Sequence, residues 1–323
     1  MHVSPRLRSW LTGAKADPSV RARFWIEVDG RTPTDPKVRG AIGSIGKTGW
    51  AADLLNFQMP DGHWATPGSS AHELYRPKYV ATNWAAIVLA DLGMTRSDLR
   101  IRKTAEMILK RWSARGGDLS GRAGEICVTG NAVRTLTRFG YLDHPSVQRS
   151  IRWILRTQKS DGGWNCFPSK KGTLDGWEGL AALAEIPEDS RDTAIRRSIE
   201  RGAEFFLKRH LMDEGRTRYA PWFRIHYPNH YYYDLLVGLR VLTRLGYGKD
   251  RRLSPALRWL RSKQNRDGSW PIEASHPDLD EYAEIATFTH QFTVFPMIFE
   301  LLGQPSQWAT VEALSILARS GAK

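Results

Sequence analysis

A seven-residue pattern of Gln, two residues, Asp-Gly, one residue and Trp occurs three times in this chain of 323 residues. The copies are 58–64 (QMPDGHW), 158–164 (QKSDGGW) and 264–270 (QNRDGSW). Each copy follows an amphipathic run and precedes a second apolar segment, and Asp-Gly pairs favour tight turns. The pattern therefore predicts a repeating unit made of a helix, a tight loop and a returning helix.

The spacing of the copies predicts further, degenerate units between them. The tryptophans of successive copies are roughly 100 residues apart, about twice the ~50-residue upper end of common repeat lengths. Segments 112–120 (WSARGGDLS) and 210–222 (HLMDEGRTRYAPW) fall near the two midpoints, which gives at least five helical hairpins. Because repeats run through most of the chain, we expect one repeat domain over 48–323, covered by an N-terminal helical cap over 1–47.

The repeat resembles the QW motif of squalene-hopene cyclases and the matching repeats of protein prenyltransferase beta subunits. This resemblance implies an all-α fold, an α/α toroid in which about five to six helical hairpins form inner and outer rings of helices. The chain also resembles uncharacterised bacterial and archaeal squalene cyclase-like proteins with a single toroid. That closer resemblance lies in 49–64, 127–141, 161–166 and 231–253, and it implies no particular activity.

The predicted inner helices begin with polar, aromatic or thiol residues and end in aliphatic ones. In a toroid these N-terminal ends meet at one mouth, and a few polar groups above apolar walls are the usual form of a small-molecule site. In the cyclases that the chain resembles, aromatic rings line the pocket and stabilise carbocations through their π faces. Helix packing and helix capping are the alternative roles for such residues. The candidate substrate-binding residues are Tyr79, Trp84, Trp177, Tyr232, Tyr233, Asp234 and His290.

The segment Asp278-Leu279-Asp280-Glu281 is the candidate catalytic acid. It resembles the D-x-D-D motif of class II terpene cyclases, which implies that Asp280 is the proton donor, with Asp278 and Glu281 beside it. Protonating a carbon–carbon double bond needs a strong acid in a dry cavity, and neighbouring carboxylates can hold one carboxyl protonated. The fourth position is Glu instead of Asp, which departs from the motif. An acidic cap on the following helix is the alternative.

We expect a protein without a cofactor, and a zinc-binding protein is the alternative. Protein prenyltransferases bind zinc through Asp, Cys and His from separate inner-helix regions, and Cys127, Cys166 and His230 are the matching residue types here. The sequence has no pair of closely spaced ligands, which strong zinc sites usually show. It also lacks a D-D-x-x-D cluster, a Walker loop, a dinucleotide fingerprint and a G-x-S-x-G elbow.

The formal net charge of +13 favours an anionic partner, but the basic residues are dispersed singly or in pairs and form no nucleic-acid motif. We therefore expect no nucleic-acid partner, and peripheral contact with an acidic membrane surface is a second expectation. Two cysteines, no apolar signal core and no run of about 18 apolar residues predict a cytoplasmic protein, with membrane association as the alternative.

These observations lead to one functional hypothesis and two alternatives. By its resemblances the chain is a terpene cyclase-like protein of the squalene-hopene type that binds an isoprenoid or other hydrophobic small molecule in a central cavity. Cyclisation there would be initiated by proton transfer. The alternatives are a zinc-dependent prenyltransferase-like enzyme and a non-catalytic toroid that binds lipid or protein.

Overall fold

The computed structural model describes residues 3–64, 74–75, 78–113, 119, 124–213, 219–275 and 299–321. This part of the chain contains thirteen α-helices and one short strand pair. The helices are α1 (Pro5–Thr12), α2 (Pro18–Arg23), α3 (Pro36–Ser44), α4 (Trp50–Leu55), α5 (Thr82–Asp91), α6 (Leu99–Ser113), α7 (Ile126–Phe139), α8 (Pro145–Thr157), α9 (Trp177–Ala184), α10 (Thr193–Lys208), α11 (Leu235–Arg244), α12 (Ser254–Ser262) and α13 (Gln307–Arg319). A π-helical turn, Phe24–Val28, continues α2. Strands β1 (Trp270–Pro271) and β2 (Pro305–Ser306) pair antiparallel.

Several helices start at a proline that follows a capping residue. Proline occupies the first turn of α1, α2, α3 and α8, and the residue before each proline accepts a hydrogen bond from a backbone N–H of that turn. The capping residues are Ser4, Asp17, Asp35 and His144. Proline is favourable at this position because its missing N–H has no partner within the helix.

The helices form an inner and an outer layer. All ten residues of α5 and nine of the ten residues of α11 are buried, as expected for helices that are enclosed on every side. In contrast, α8 and α10 bury one apolar face and expose a basic one. The inner helices pack in chain order, α5 on α7, α7 on α9, α9 on α11 and α11 on α13, and α13 then packs on α2 and the π-helical turn.

The C-terminal ends of α5, α7, α9 and α11 surround a cavity of about 260 Å³, together with Arg23, Glu27, Trp308 and Glu312. The contacts of α13 with α2 and the π-helical turn close the ring. All but two of the following ten charged side chains line this cavity, and ion pairs link them to the other two, Arg134 and Arg319. We call the ten the charged ring: Arg23, Glu27, Asp91, Arg134, Arg138, Glu185, Arg240, Arg244, Glu312 and Arg319. The prediction of an all-α, α/α toroid of five to six hairpins is confirmed.

The three Asp-Gly-x-Trp loops have the same internal hydrogen bonds. In each loop the Gln side chain donates to the glycine carbonyl four residues later, and the Asp side chain accepts from the N–H two residues later. Each tryptophan is at most 1% exposed and donates its indole N–H to the carbonyl ten residues earlier. These bonds join Trp64 to Leu54, Trp164 to Ile154 and Trp270 to Leu260 at 2.7–3.0 Å. Each loop is thereby tied to the outer helix that precedes it.

The N-terminal 47 residues contribute side chains to the ring. Arg23 of α2 and Glu27 of the π-helical turn line the central cavity, while α1 and α3 lie outside it. The division at residue 47 stays a prediction. Among the described helices, none combines the length and the apolar character that a membrane crossing requires.

Candidate functional site

Aromatic side chains from three separate segments meet at the N-terminal ends of the inner helices. The segments are the first turn of α5 with the residues before it, the start of α9, and the loop before α11. Their aromatic residues, which we call the aromatic cluster, are Tyr79, Trp84, Trp177, His230, Tyr231 and Tyr232. Four of them, Tyr79, Trp84, Trp177 and Tyr232, are predicted substrate-binding residues.

Ring contacts hold the cluster together. His230 stacks on Tyr79 with ring centroids 5.8 Å apart, and it meets Trp84 edge to face at 4.9 Å. Tyr231 lies 4.7 Å from Tyr232 and 5.8 Å from Trp84. Aromatic pairs at these separations add about 0.5–1.5 kcal/mol beyond the area that they bury.

Hydrogen bonds fix the polar edges of the rings. The Tyr79 hydroxyl lies 2.5 Å from the hydroxyl of Tyr231 and 3.1 Å from that of Tyr232. Trp177 donates its indole N–H to the Tyr231 carbonyl at 3.3 Å, and Asn131 Nδ2 donates to the His230 carbonyl at 3.0 Å. The loop before α11 is therefore bonded to α7 and α9 through its backbone.

The backbone of the cluster is strained at two positions. Tyr79 and His230 have φ values of 69° and 46°, in the left-handed region that residues with a Cβ rarely adopt. Such conformations cost on the order of 1–3 kcal/mol and concentrate at functional sites. Burial lowers the pKa of His230 to about 3, so its imidazole is neutral near pH 7. A neutral imidazole adds an aromatic face to the cluster without adding a positive charge.

A buried carboxyl is next to Trp177 in the chain. Glu178 follows Trp177 on α9 and is 1% exposed, and within the part of the chain that the structure describes neither of its carboxyl oxygens has a hydrogen-bond partner. Burial raises the pKa of Glu178 well above its usual value, and nearby Asp175 and Cys166 raise it further. The raised pKa favours the protonated form of Glu178, which is the state of a proton donor.

Sequence reasoning missed Glu178 as an acid because Asp278-Leu279-Asp280-Glu281 carried the only recognisable motif. A signal was present, since Glu178 is the single charge within the apolar stretch 176–184 (GWEGLAALA), which forms α9. A charge in a helix without a polar face has to be buried.

Tyr233 and Asp234 have contacts of a different kind. The Tyr233 hydroxyl donates to the Leu211 carbonyl at 2.8 Å, and its ring packs on Trp222 and Phe206. Asp234 caps α11 by accepting the Val237 N–H at 2.7 Å. These contacts connect the two residues to the helix layer, and their predicted role in substrate binding stays a prediction.

The two cysteines are neighbours. The Cys127 N–H donates to Cys166 Sγ at 3.4 Å, and a hydrogen bond from the Cys127 thiol lowers the pKa of Cys166. His230, the third candidate zinc ligand, belongs to the aromatic cluster. Outside the undescribed segments, no three His, Cys, Asp or Glu side chains are grouped so as to hold a metal ion.

Asp278, Asp280, Glu281 and His290 lie outside the residues that the structure describes. The predicted role of Asp280 as proton donor, with Asp278 and Glu281 beside it, stays a prediction. The same holds for substrate binding by His290.

Comparisons with known proteins found matches among solved structures. No family model matches the chain, and no curated protein matches it. A protein from Actinoplanes is similar with a TM-score of 0.44 at 15% identity, over 95% of this chain and 90% of that one. The type II terpene cyclase MstE from Scytonema, in its apo form, gives 0.42 at 17% identity, over 97% of this chain and 88% of that one. An MstE variant in complex with merosterolic acid A, its product, gives 0.32 at 15% identity, over 87% and 95%.

Proposed function

We propose that this protein is a terpene cyclase-like enzyme that binds an isoprenoid lipid against the aromatic cluster and cyclises it after protonating a double bond. The observation that carries the proposal is the convergence of six aromatic rings, from three separate segments, at the N-terminal ends of the inner helices. Electron-rich ring faces stabilise a nearby positive charge, and this effect is stronger where water is excluded.

The chemistry needs an acid and returns the proton that it uses. A protonated carboxyl donates its proton to one alkene carbon, and the resulting carbocation is attacked by a second double bond, which closes the ring. Loss of a proton from the cyclised cation ends the reaction, so that product and substrate have the same mass. The cluster stabilises the cation between these two proton transfers.

Two carboxyls are candidates for the donor. Asp280 is the donor that the resemblance to the D-x-D-D motif implies. Glu178 is the second candidate, because burial raises the pKa of its carboxyl and, among the described residues, no group hydrogen-bonds to its carboxyl oxygens. A donor in a dry site also avoids losing its proton to solvent before the substrate is bound.

The test is incubation of the purified full chain with polyprenyl substrates of increasing length, including squalene, in H₂O and in D₂O. We expect a product that has the mass of the substrate but a different retention time on chromatography. In D₂O that product gains one deuterium, because the donor carboxyl exchanges with solvent before the reaction.

Three variants identify the donor. Asp280→Asn and Glu178→Gln each remove one candidate acid, and the variant that lacks the true donor should lose at least a hundredfold in turnover. Glu188→Gln, which changes an exposed carboxyl, should retain full turnover. Lipid that copurifies with the protein but is never converted would contradict catalysis and support the non-catalytic binding toroid. A product without deuterium would contradict proton initiation.

A further inference from the structure

Cys127 and Cys166 are the only cysteines of the chain, and the fold brings them into contact although 39 positions separate them. The Cys127 N–H donates to Cys166 Sγ at 3.4 Å, and the Cys127 thiol donates a second hydrogen bond to the same sulfur. Both residues are half-buried, so solvent reaches the pair. Redox-active cysteines are accessible thiols with a second, resolving thiol beside them, and this pair has that arrangement.

The two sulfur atoms have different surroundings. Cys127 lies in the first turn of α7, where backbone N–H groups have no partner within the helix. One of these N–H groups donates to Cys166 Sγ, and the N-terminal end of a helix favours a thiolate over a thiol. Cys127 Sγ instead lies 3.9 Å from Glu125 Oε2, whose negative charge opposes ionisation of Cys127. Cys166 is therefore the better nucleophile of the two.

The pKa values of the pair are shifted in opposite directions, which agrees with these contacts. The hydrogen bond from Cys127 lowers the pKa of Cys166, against the opposing effects of burial, Glu125 and Asp175. The same hydrogen bond raises the pKa of Cys127, and burial and the charge of Glu178 raise it further.

Cys166 also lines a small cavity at the protein surface. Its volume is about 190 Å³, which is enough for a molecule of several heavy atoms, since one water occupies about 30 Å³. Phe167 lines the same cavity and is 77% exposed, which places the cavity at the surface. Among the described residues around it, Lys159 alone carries a charge. A cation here favours the Cys166 thiolate and the negative charge that develops on an oxygen leaving group.

We propose that Cys166 is a modification site for hydroperoxides and that Cys127 converts the product to a disulfide. The Cys166 thiolate attacks the terminal oxygen of the hydroperoxide, the O–O bond breaks, and Cys166 becomes a sulfenic acid. The released hydroxide or alkoxide takes up the proton that Cys166 had lost and leaves as water or an alcohol. The Cys127 sulfur then attacks the Cys166 sulfur, which forms the S–S bond and releases water.

The two thiols thus supply the two electrons that reduce the hydroperoxide, and a dithiol reductant restores them. The disulfide would join the first turn of α7 to the loop that leads into α9. This proposal is independent of the proposed cyclase activity.

The test is exposure of the reduced full chain to hydrogen peroxide at about pH 7.5, followed by mass spectrometry of the intact chain. We expect a species that is lighter by two hydrogens and that returns to the starting mass with dithiothreitol. Digestion with trypsin without reductant should link peptide 123–134, which contains Cys127, to peptide 160–170, which contains Cys166. Peptides that stay unlinked while the chain is folded would overturn the proposal.

Two conservative variants assign the roles of the cysteines. Cys127→Ser removes the resolving thiol, so the Cys166 sulfenic acid should accumulate and be trapped by dimedone as one adduct per chain. Cys166→Ser leaves only the thiol beside Glu125, and its oxidation should be at least tenfold slower than that of Cys127→Ser. Equal rates in the two variants would overturn the assignment of Cys166 as the nucleophile.

A second oxidant separates two sources of the hydroperoxide. Oxidation that is faster with tert-butyl hydroperoxide than with hydrogen peroxide indicates an organic hydroperoxide, such as that of an oxidised lipid. Oxidation that is faster with hydrogen peroxide indicates the small oxidant itself. Oxidation by neither of them would overturn the proposal.

Discussion

At the scale of single residues, the buried carboxyl of Glu178 makes stability depend on pH. Its folded-state pKa is raised above the usual 4.5, so between these two values the folded chain holds a proton that the unfolded chain has lost. The unfolded state binds fewer protons, and the contribution of Glu178 to stability therefore falls as pH rises, by about 1.4 kcal/mol per unit of pKa shift. We predict that Glu178→Gln is more stable than the wild type at pH 8 and that this gain shrinks toward pH 4. Urea unfolding across this range measures the difference.

Glu185 is the matched comparison for Glu178, because its pKa is shifted in the opposite direction. Burial raises its pKa, but Arg138 and Arg244 outweigh burial and lower it to about 2. This carboxylate therefore contributes stability above its usual pKa of 4.5, and the contribution is lost as pH falls toward 2. Glu185→Gln should destabilise the protein at pH 7 by roughly 3 kcal/mol, and by less at pH 4. A loss that is independent of pH would mean that the ion pairs do not set the ionisation of Glu185.

From the sequence it was possible to predict which aromatic residues lie at the starts of the inner helices, but not which side chains contact one another. Tyr79, Trp84, Trp177 and Tyr232 could be named because aromatic residues recur at the starts of inner helices. Tyr233 is adjacent to Tyr232 in the chain, yet its ring packs on Trp222 and its hydroxyl bonds to Leu211. Whether neighbouring side chains share a pocket depends on the backbone of the loop, where His230 is left-handed, and no pattern in the sequence specifies that conformation.

At the scale of structural elements, the Asp-Gly-x-Trp loop depends on a glycine that is both left-handed and crowded. Gly162 has a φ of 94°, and a Cβ there would lie 2.3 Å from the Arg201 carbonyl oxygen. Gly162→Ala should therefore combine the cost of a left-handed alanine with a clash against α10, about 2–5 kcal/mol together. Gly246 has a similar φ of 90° with nothing within 4 Å, so Gly246→Ala should cost only about 1–2 kcal/mol. Equal losses in urea unfolding would contradict the role of crowding.

The helices and loops could be predicted because turn-forming residues and the periodicity of apolar residues indicate the same boundaries. The Asp-Gly pairs mark the loops, and the apolar runs that follow the first two pairs become α5 and α9. The charge inside α11 also stands out in the sequence, since Arg240 interrupts the apolar stretch 235–242. What the sequence could not provide is the register of the inner helices around the ring. That register decides which carboxylate each arginine meets, and it depends on packing between segments distant in sequence.

At the scale of the whole molecule, the toroid is closed by the two ends of the chain. The sequence predicted an N-terminal helical segment over 1–47 but did not show that it meets the C-terminal helix α13. In the structure Arg23 pairs with Glu312 at 2.9 Å, and Arg319 pairs with Glu27 at 2.6 Å. The carbonyl of Trp10 also accepts a hydrogen bond from the Gln307 side chain. A closed ring has no exposed end. Its first and last inner elements should therefore fold and unfold together.

This joint behaviour can be tested at Glu312, which is buried between Arg23 of the first inner element and Arg240 of α11. Glu312→Ala leaves both guanidinium groups buried without their carboxylate, and removing one partner of a buried ion pair typically costs about 3–5 kcal/mol. The exposed pair of Arg8 and Asp29 is the comparison, and Arg8→Ala should cost at most about 1 kcal/mol because solvent screens that pair. In hydrogen–deuterium exchange, Glu312→Ala should raise exchange in α2 and α13 by the same factor, since each covers the other. Faster exchange in α13 alone would mean that the two ends of the chain open independently.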